Sequence, residues 1–399
     1  MFLARTAENV LRTAGLCGKR VAYVVKEIIS DLPEALRREY EYYSGTRSSA
    51  ILVLTWGCTS RCKTCTVWRR PRLAHRELTR EEWLDVGRVL VDRGIRSAEL
   101  FGGDVFLRKD VVVGLTQLLA SSGCRVHIPT NSNLVDERTA AKLADVAYAI
   151  YLSVDDVEQT HDEIRGTPGT FRRVLQTLGA FRAARGPRQS PRLICNTTVS
   201  RYNVCRLCSI AAFAARAGFD EIHFEYVGEF TPAHVSRSRI GNFTPSPIYL
   251  QTGGSSLVPS EAVSTLRRQL REARGIAERG DLGSTTFRVM TINIDLLSAA
   301  NLVDGTVPAR RCFFERTNVV VDPYGNVVPC LFFDGFALGD VRTGALHRSW
   351  ETRERLRFRR CRDKAGPALC RHCIMSVIRN QTGYDVIRRA YMTGSTRPL

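Results

Sequence analysis

Lysine is scarce. Only six of the 58 basic residues are lysine, so the net charge of +18 rests on arginine. Such a bias reports a GC-rich genome rather than a binding task. The densest basic stretches, Arg69 to Arg72 and Arg353 to Arg362, do not alternate with aromatic residues as a base-stacking platform does. A solvated basic face is the ordinary outcome of such charge, and no nucleic acid partner is expected. Long apolar runs are missing as well: nowhere do eighteen apolar residues follow one another, so no membrane-spanning helix is expected. Met1 to Gly18 lacks the continuous apolar stretch and small-residue cleavage site of a secretory signal. These absences predict a soluble, cytoplasmic protein.

What the chain does have is cysteine, thirteen in 399 residues. Disulfides are rare in reducing compartments, so these thiols point to metal or redox chemistry. A length of 399 residues, 44% of them hydrophobic, allows two or three domains with a substantial core.

Cys58, Cys62 and Cys65 fall within eight residues, directly after the apolar run Ala50 to Thr55. An extended strand cannot aim all three at one point, whereas a loop wrapped around a compact inorganic core can. Soft thiolates suit iron–sulfur centres or zinc. A structural zinc wants a fourth protein ligand close by, and the nearest further candidates, His75, Cys124 and His127, form no second knuckle. A [4Fe-4S] cluster held by three cysteines keeps one iron open for a small ligand.

The C-x3-C-x2-C loop after a first strand resembles the signature of the radical S-adenosylmethionine (SAM) superfamily. That resemblance implies a partial (β/α)6 TIM-like barrel, α/β in class. It also implies that SAM is chelated at the open iron and cleaved reductively to a 5'-deoxyadenosyl radical. Electrons would come from a reductase such as flavodoxin or ferredoxin. The residue before the third cysteine, aromatic in the family, is Thr64 here, and Trp68 is the candidate to replace its contact with adenine.

The rest of the chain follows that frame. Residues 1–45 have helical periodicity, with Val21, Val24, Val25, Ile28, Ile29 and Leu32 on one face, and predict a helical extension packed on the barrel. A membrane-surface helix is the alternative, though acids share its polar face. The barrel is expected over residues 46–300, with strands near 50–55, 97–101, 126–130, 149–154, 193–199 and 221–226. Helices are expected near 79–93, 110–121, 136–145, 170–185 and 204–217. Chemistry gathers at the C-terminal ends of such strands. There stand Gly102, Gly103 and Asp104, whose paired glycines admit close backbone approach. They resemble the family's motif for the SAM amino group, with Asp104 in place of glutamate. Ser153 and Asp155 can serve ribose hydroxyls, and Arg165 a carboxylate. The run from Ser153 through His161, Asp162, Arg165 and Gly166 resembles radical SAM proteins with a C-terminal cluster domain, in which Ser153 and Arg165 would contact SAM. Asn196 or Thr198 would face the cofactor from the fifth strand. Residues 228–258 read as a long loop able to cap the substrate cavity, followed by a helix near 260–279.

A second cysteine set lies in residues 301–399. Two short strands around Pro323-Tyr324-Gly325-Asn326 bring Cys312 and Cys330 together, and Cys370 and Cys373 add a C-x2-C knuckle. Four thiolates close a site for either zinc or a cluster. The pattern resembles the twitch form of the SPASM domain, a small α+β module, which implies one auxiliary [4Fe-4S] cluster; Cys361 is a fifth cysteine outside that pattern. The combined resemblance predicts hydrogen-atom abstraction from a small, polar, sugar-like substrate, ending in dehydrogenation or epimerisation. For epimerisation Cys205 or Cys208, at the start of the helix after the fifth strand, would return the hydrogen. A peptide substrate is the runner-up, weakened by the lack of a strand-rich N-terminal leader-binding pattern. A zinc-stabilised nucleic-acid-binding protein is the alternative from another class.

Overall fold

A computed structural model describes residues 19–186, 189–279, 287–291, 294–308, 312–348, 350–379 and 382–387. Among the described residues ten strands form one sheet in the order β10-β9-β8-β1-β2-β3-β4-β5-β6-β7. Its middle is the expected barrel: β1 (Ser49–Thr55), β2 (Ser97–Gly102), β3 (Arg125–Thr130), β4 (Ala149–Ser153), β5 (Arg192–Val199) and β6 (Glu221–Tyr226), each parallel to the next. β1 is buried from Ala50 to Thr55, as its unbroken apolar run requires of a strand covered on both faces.

Helices Arg80–Asp92, Lys109–Ser121, Glu137–Leu143, Thr170–Ala184 and Leu207–Ala217 fill the predicted places between the strands. Arg80–Asp92 begins with a capping box, in which Thr79 and Glu82 exchange side-chain and backbone hydrogen bonds. One helix was not anticipated. Glu158–Arg165 buries only His161 and Ile164, too little apolar surface to leave a periodic pattern.

The sheet also runs past six strands. β7 (Arg288–Met290) pairs in parallel with β6, and β8 (Asn318–Val321) pairs in parallel with β1, from Ser49↔Asn318 to Leu52↔Val321. The predicted hairpin is β8 with β9 (Asn326–Val328), and β10 (Gly339–Asp340) closes that edge. The auxiliary module therefore continues the barrel's own sheet.

Of the expected N-terminal extension, residues 1–18 lie outside the described residues, and Lys19–Ser44 is one helix. Arg37 and Glu41 bond to Ser48 just before β1, while Tyr42 packs on Phe313 of the C-terminal module, ring centroids 4.7 Å apart. Residues 228–258 form the expected long connection, interrupted by the short helix Pro232–Ser236 and pinned by a bridge between Phe230 and Leu250. The helix beyond it is Val263–Arg279. Among the described residues no helix is long and apolar enough to cross a membrane.

Candidate active site

β1 delivers the chain to the cysteine loop. Thr55 ends the strand, donating to Glu77 (2.6 Å) and accepting from Gly57 N–H (3.0 Å). The loop is then held from both sides. On one side Arg61 N–H donates to Arg165 O (3.0 Å) and Lys63 N–H to Ile164 O (2.9 Å). Those carbonyls are the unsatisfied ones at the end of helix Glu158–Arg165, so cysteine loop and helix terminus complete each other. Gly166 makes this possible: its φ is +61°, and a Cβ there would collide with the Arg61 carbonyl. On the other side Ile248, in the long connection, accepts from Thr66 N–H (2.8 Å) and Thr66 Oγ1 (2.9 Å) and lies 3.6 Å from Cys65 Sγ.

Burial pushes the Cys58 thiol up to about 11 and Cys65 to about 12, and Cys62 is raised as well, largely by burial. A metal centre loaded here must displace the protons of these thiols.

The paired glycines after β2 meet this loop edge to edge. Gly103 N–H donates to Thr55 O (3.0 Å) and Asp104 N–H to Gly57 O (2.7 Å), and a Cβ on Gly103 would strike the Gly57 carbonyl. Asp104, almost wholly buried, accepts from Thr59 Oγ1 (2.5 Å) and Phe106 N–H (3.1 Å), and burial raises its carboxyl. Two residues not singled out in the sequence complete this floor. Asn131 and Asn133, just past β3, each donate to Thr59 Oγ1 and Ser60 Oγ at 3.0–3.1 Å. Their signal was present: polar residues at the C-terminal end of a barrel strand.

Across the cleft, Arg165 is 2.8 Å from Asp155 Oδ2 and 3.9 Å from Cys62 Sγ. The other Asp155 oxygen accepts from Thr198 N–H (2.9 Å), so this carboxylate is engaged inside the protein and aims the guanidinium at the cysteine loop. His161 Nδ1 accepts from Asp155 N–H (3.2 Å), and Asp162 accepts from the N–H groups of Gly169 and Phe171 at the start of the next helix. Ser153 and Asn196 stand in register on neighbouring strands, both half-buried. Trp68 follows the loop in a short 3-10 turn, with the Arg69 guanidinium 4.7 Å from its ring. Cys205 is exposed in the turn before helix Leu207–Ala217, and Cys208 lies in the first turn, where its N–H donates to Gln269 of the neighbouring helix.

The second set is gathered as expected. Cys312, Cys330, Cys370 and Cys373 line one cavity together with Phe314, Glu315, Phe332, Phe333, Phe358 and Arg362. Cys361 is not among its lining residues. Burial raises all four thiols, Cys370 to about 12. The cavity wall is braced by Glu315, 1% exposed, which accepts from Arg355 (2.6 Å) and Arg359 (2.7 Å). Its main-chain oxygen accepts from Arg47 (2.7 Å) and Arg355 (2.9 Å). Burial would raise the Glu315 carboxyl, but the arginines outweigh it and hold it below the usual range. Among the described residues no three His, Cys, Asp or Glu side chains converge on one point as ligands of a single ion would.

The Radical SAM superfamily profile matches residues 52–200, and that of the SPASM iron-sulfur cluster-binding domain matches residues 312–374. An AdoMet-dependent heme synthase of Methanosarcina barkeri is 30% identical over 172 residues, 43% of this chain; the match spans about half of that relative, 48% of its length. The PqqA peptide cyclase of Xanthomonas campestris pv. campestris is 26% identical over 338 residues, 82% of this chain and 78% of that protein. Among solved structures, anSMEcpe with bound AdoMet and the Cp18Cys peptide has a TM-score of 0.56 at 15% identity, covering 87% of this chain and 95% of that one, a likeness of fold. The chain thus carries a Radical SAM superfamily domain and a SPASM iron-sulfur cluster-binding domain, which imply a SAM-binding [4Fe-4S] cluster and an auxiliary cluster.

Proposed function

We propose that this enzyme modifies a peptide, using SAM to remove a hydrogen atom from a side-chain carbon. The observation that carries the reading is the similarity to the PqqA peptide cyclase, which extends over 82% of this chain. It displaces the sugar-like substrate expected first from the sequence. When bound, SAM and its cluster supply the carbon radical that takes the hydrogen atom. This chain's own residues then hold and shield: Arg165 and Asp155 fix the cofactor side of the cleft, while Ile248 and Thr66 fasten the long connection over the cysteine loop. The peptide would give up two hydrogens in all as a new bond closes within it; Cys312, Cys330, Cys370 and Cys373 would hold the auxiliary cluster, which would supply an acceptor for the second electron, the proton going to solvent.

The test is anaerobic incubation of the cluster-loaded enzyme with SAM, a reductant and a short peptide encoded beside its gene. The expected result is 5'-deoxyadenosine formed in step with a peptide lighter by a pair of hydrogens. A second reading, tetrapyrrole chemistry, has the 30% identity to the heme synthase in its favour. Conversion of an iron porphyrin precursor to heme with the peptides untouched would reject the peptide reading in its favour.

A further inference from the structure

The long connection, residues 228–258, is fastened to both cysteine sets. Toward its start Ser238 Oγ accepts from Leu369 N–H (2.8 Å), next to Cys370, and the His234 ring stacks on His372 inside the Cys370–Cys373 knuckle, centroids 3.7 Å apart. Further along, Ile248 O accepts from Thr66 at the cysteine loop, and Leu250 N–H donates to Thr66 Oγ1 (3.1 Å). Tyr249, between those two residues, packs its ring 5.9 Å from that of Phe332, which lines the auxiliary cavity. The connection therefore roofs the cysteine loop while leaning on the C-terminal module.

One side chain joins all three parts. Arg70, just past the cysteine loop, donates through Nη1 to Asp334 Oδ2 (2.6 Å) and through Nη2 to Asp334 Oδ1 (3.3 Å). The same Nη2 donates to Ser246 O, in the connection shortly before Ile248. The guanidinium also lies 4.3 Å from the ring centroid of Trp56, a buried residue just ahead of Gly57 and Cys58. Asp334 directly follows Phe332 and Phe333, which line the auxiliary cavity together with Cys330.

This is an unusual use of an arginine in a chain that has so many. The Arg70 and Asp334 side chains are only 13% and 14% exposed, so their pairing is shielded from water. A planar fork can grip a carboxylate with two donors, reach a carbonyl with one of them and still present its face to an indole, which a lysine cannot do. To brace the cysteine loop against the C-terminal module, the ion pair alone would suffice. The bond to Ser246 adds the roof, and a roof matters for radical chemistry because it keeps the reacting centre covered.

Resting on the peptide reading above, we propose that Arg70 is a positioning residue: it holds the long connection closed over the cysteine loop and against the auxiliary module, so that SAM is cleaved in step with oxidation of the peptide beneath.

The test compares the cluster-loaded wild-type enzyme with Arg70→Met, which keeps an unbranched apolar stem and removes every N–H donor. Arg88→Met, which loses only an exposed ion pair with Asp85, is the control. The first measurement needs no turnover. In hydrogen exchange without SAM or peptide, the amides of Thr66 and Leu250 should exchange at least about tenfold faster in Arg70→Met than in the wild type, with the control unchanged. In the second, with SAM, a reductant and the encoded peptide, Arg70→Met should release severalfold more 5'-deoxyadenosine per modified peptide. Iron content per chain checks that the variant has folded and loaded; should Arg70→Met fail, Asp334→Asn, which keeps the shape and removes the charge, is read in its place with the same expected changes. Unchanged exchange would overturn the proposal. So would faster exchange with 5'-deoxyadenosine still formed in step with product, which is what a merely structural brace would give. A wild-type enzyme that leaves the peptide untouched would sink the peptide reading, and the exchange measurement would then decide by itself whether Arg70 holds the roof.

Discussion

Glu315→Gln tests how the auxiliary site is built. The substitution keeps the shape of the side chain and removes its charge. Glu315 and Arg355 are 1% and 2% exposed at their side chains, and Arg359 is 11% exposed. Arg47 lies beside them with no exposed side-chain surface, and its remaining carboxylate is Glu351 at 3.5 Å. Burial and the nearby Arg355 charge already bring the Arg47 guanidinium down to about 9, so the cluster of arginines tolerates little further loss of negative charge. Breaking a buried ion pair from one side costs about 3–5 kcal/mol, because the partner is left charged and desolvated. At roughly 2–4 °C per kcal/mol for a unit of this size, the melting temperature should fall by about 6–20 °C. Glu82→Gln is the control. It also meets an arginine across the structure, Arg342 at 2.6 Å, but both side chains are about a third or more exposed, and such pairs contribute about 0–1 kcal/mol. Thermal unfolding of both variants, with iron counted per chain, decides the matter. The folded carboxyl of Glu315 is held below its ordinary 4.5, so its contribution is full above that pH and fades as the pH falls below it. A Glu315→Gln protein that melts with the Glu82→Gln control and keeps all its iron would refute the reasoning.

Burial brings the His161 imidazole from its ordinary 6.5 down to about 3, and its Nδ1 must stay unprotonated to accept from Asp155 N–H. Its folded value lies below its unfolded one, so stability is complete above pH 6.5 and drains away as the pH falls toward 3; acid titration of His161→Gln should be shallower across that window. Gly166→Ala forces a side chain into a left-handed position against the Arg61 carbonyl, so iron should drop from about eight to about four per chain as the first cluster fails to load. Cys361→Ala should keep about eight irons and Cys370→Ala only about four, since Cys370 lines the auxiliary cavity and Cys361 does not. Equal losses in those two variants would put Cys361 among the ligands.

The elements that sequence revealed are those with a local signature. The run Ala50 to Leu54 is buried throughout, and the helices between strands carry an apolar face that periodicity detects. The cysteines were legible for the same reason: their spacing is short and their chemistry narrow. β7 was not, because three residues carry no period. Nor was the pairing of β8 with β1, which joins strands from opposite ends of the chain and leaves no trace in either. In the site, the pairing of Asp155 with Arg165 was not legible from either residue alone, and Glu315 escaped notice because an isolated glutamate looks like surface until its three arginines are seen around it.

The union of β8 with β1 also fixes a length. β1 runs straight into the loop of Cys58, Cys62 and Cys65, while β8 turns through β9 into Cys330, and the two strands share a backbone ladder. Neither cysteine set can swing on a hinge relative to the other without tearing that ladder. The gap between them is thus a built-in gauge, set by strand spacing rather than by substrate, and whatever occupies it must fit a measure the sheet has already taken. A chain cut before Asn318 would lose more than an auxiliary centre: it would bare the edge of β1 along Ser49 to Leu52, the strand on which the first cluster depends.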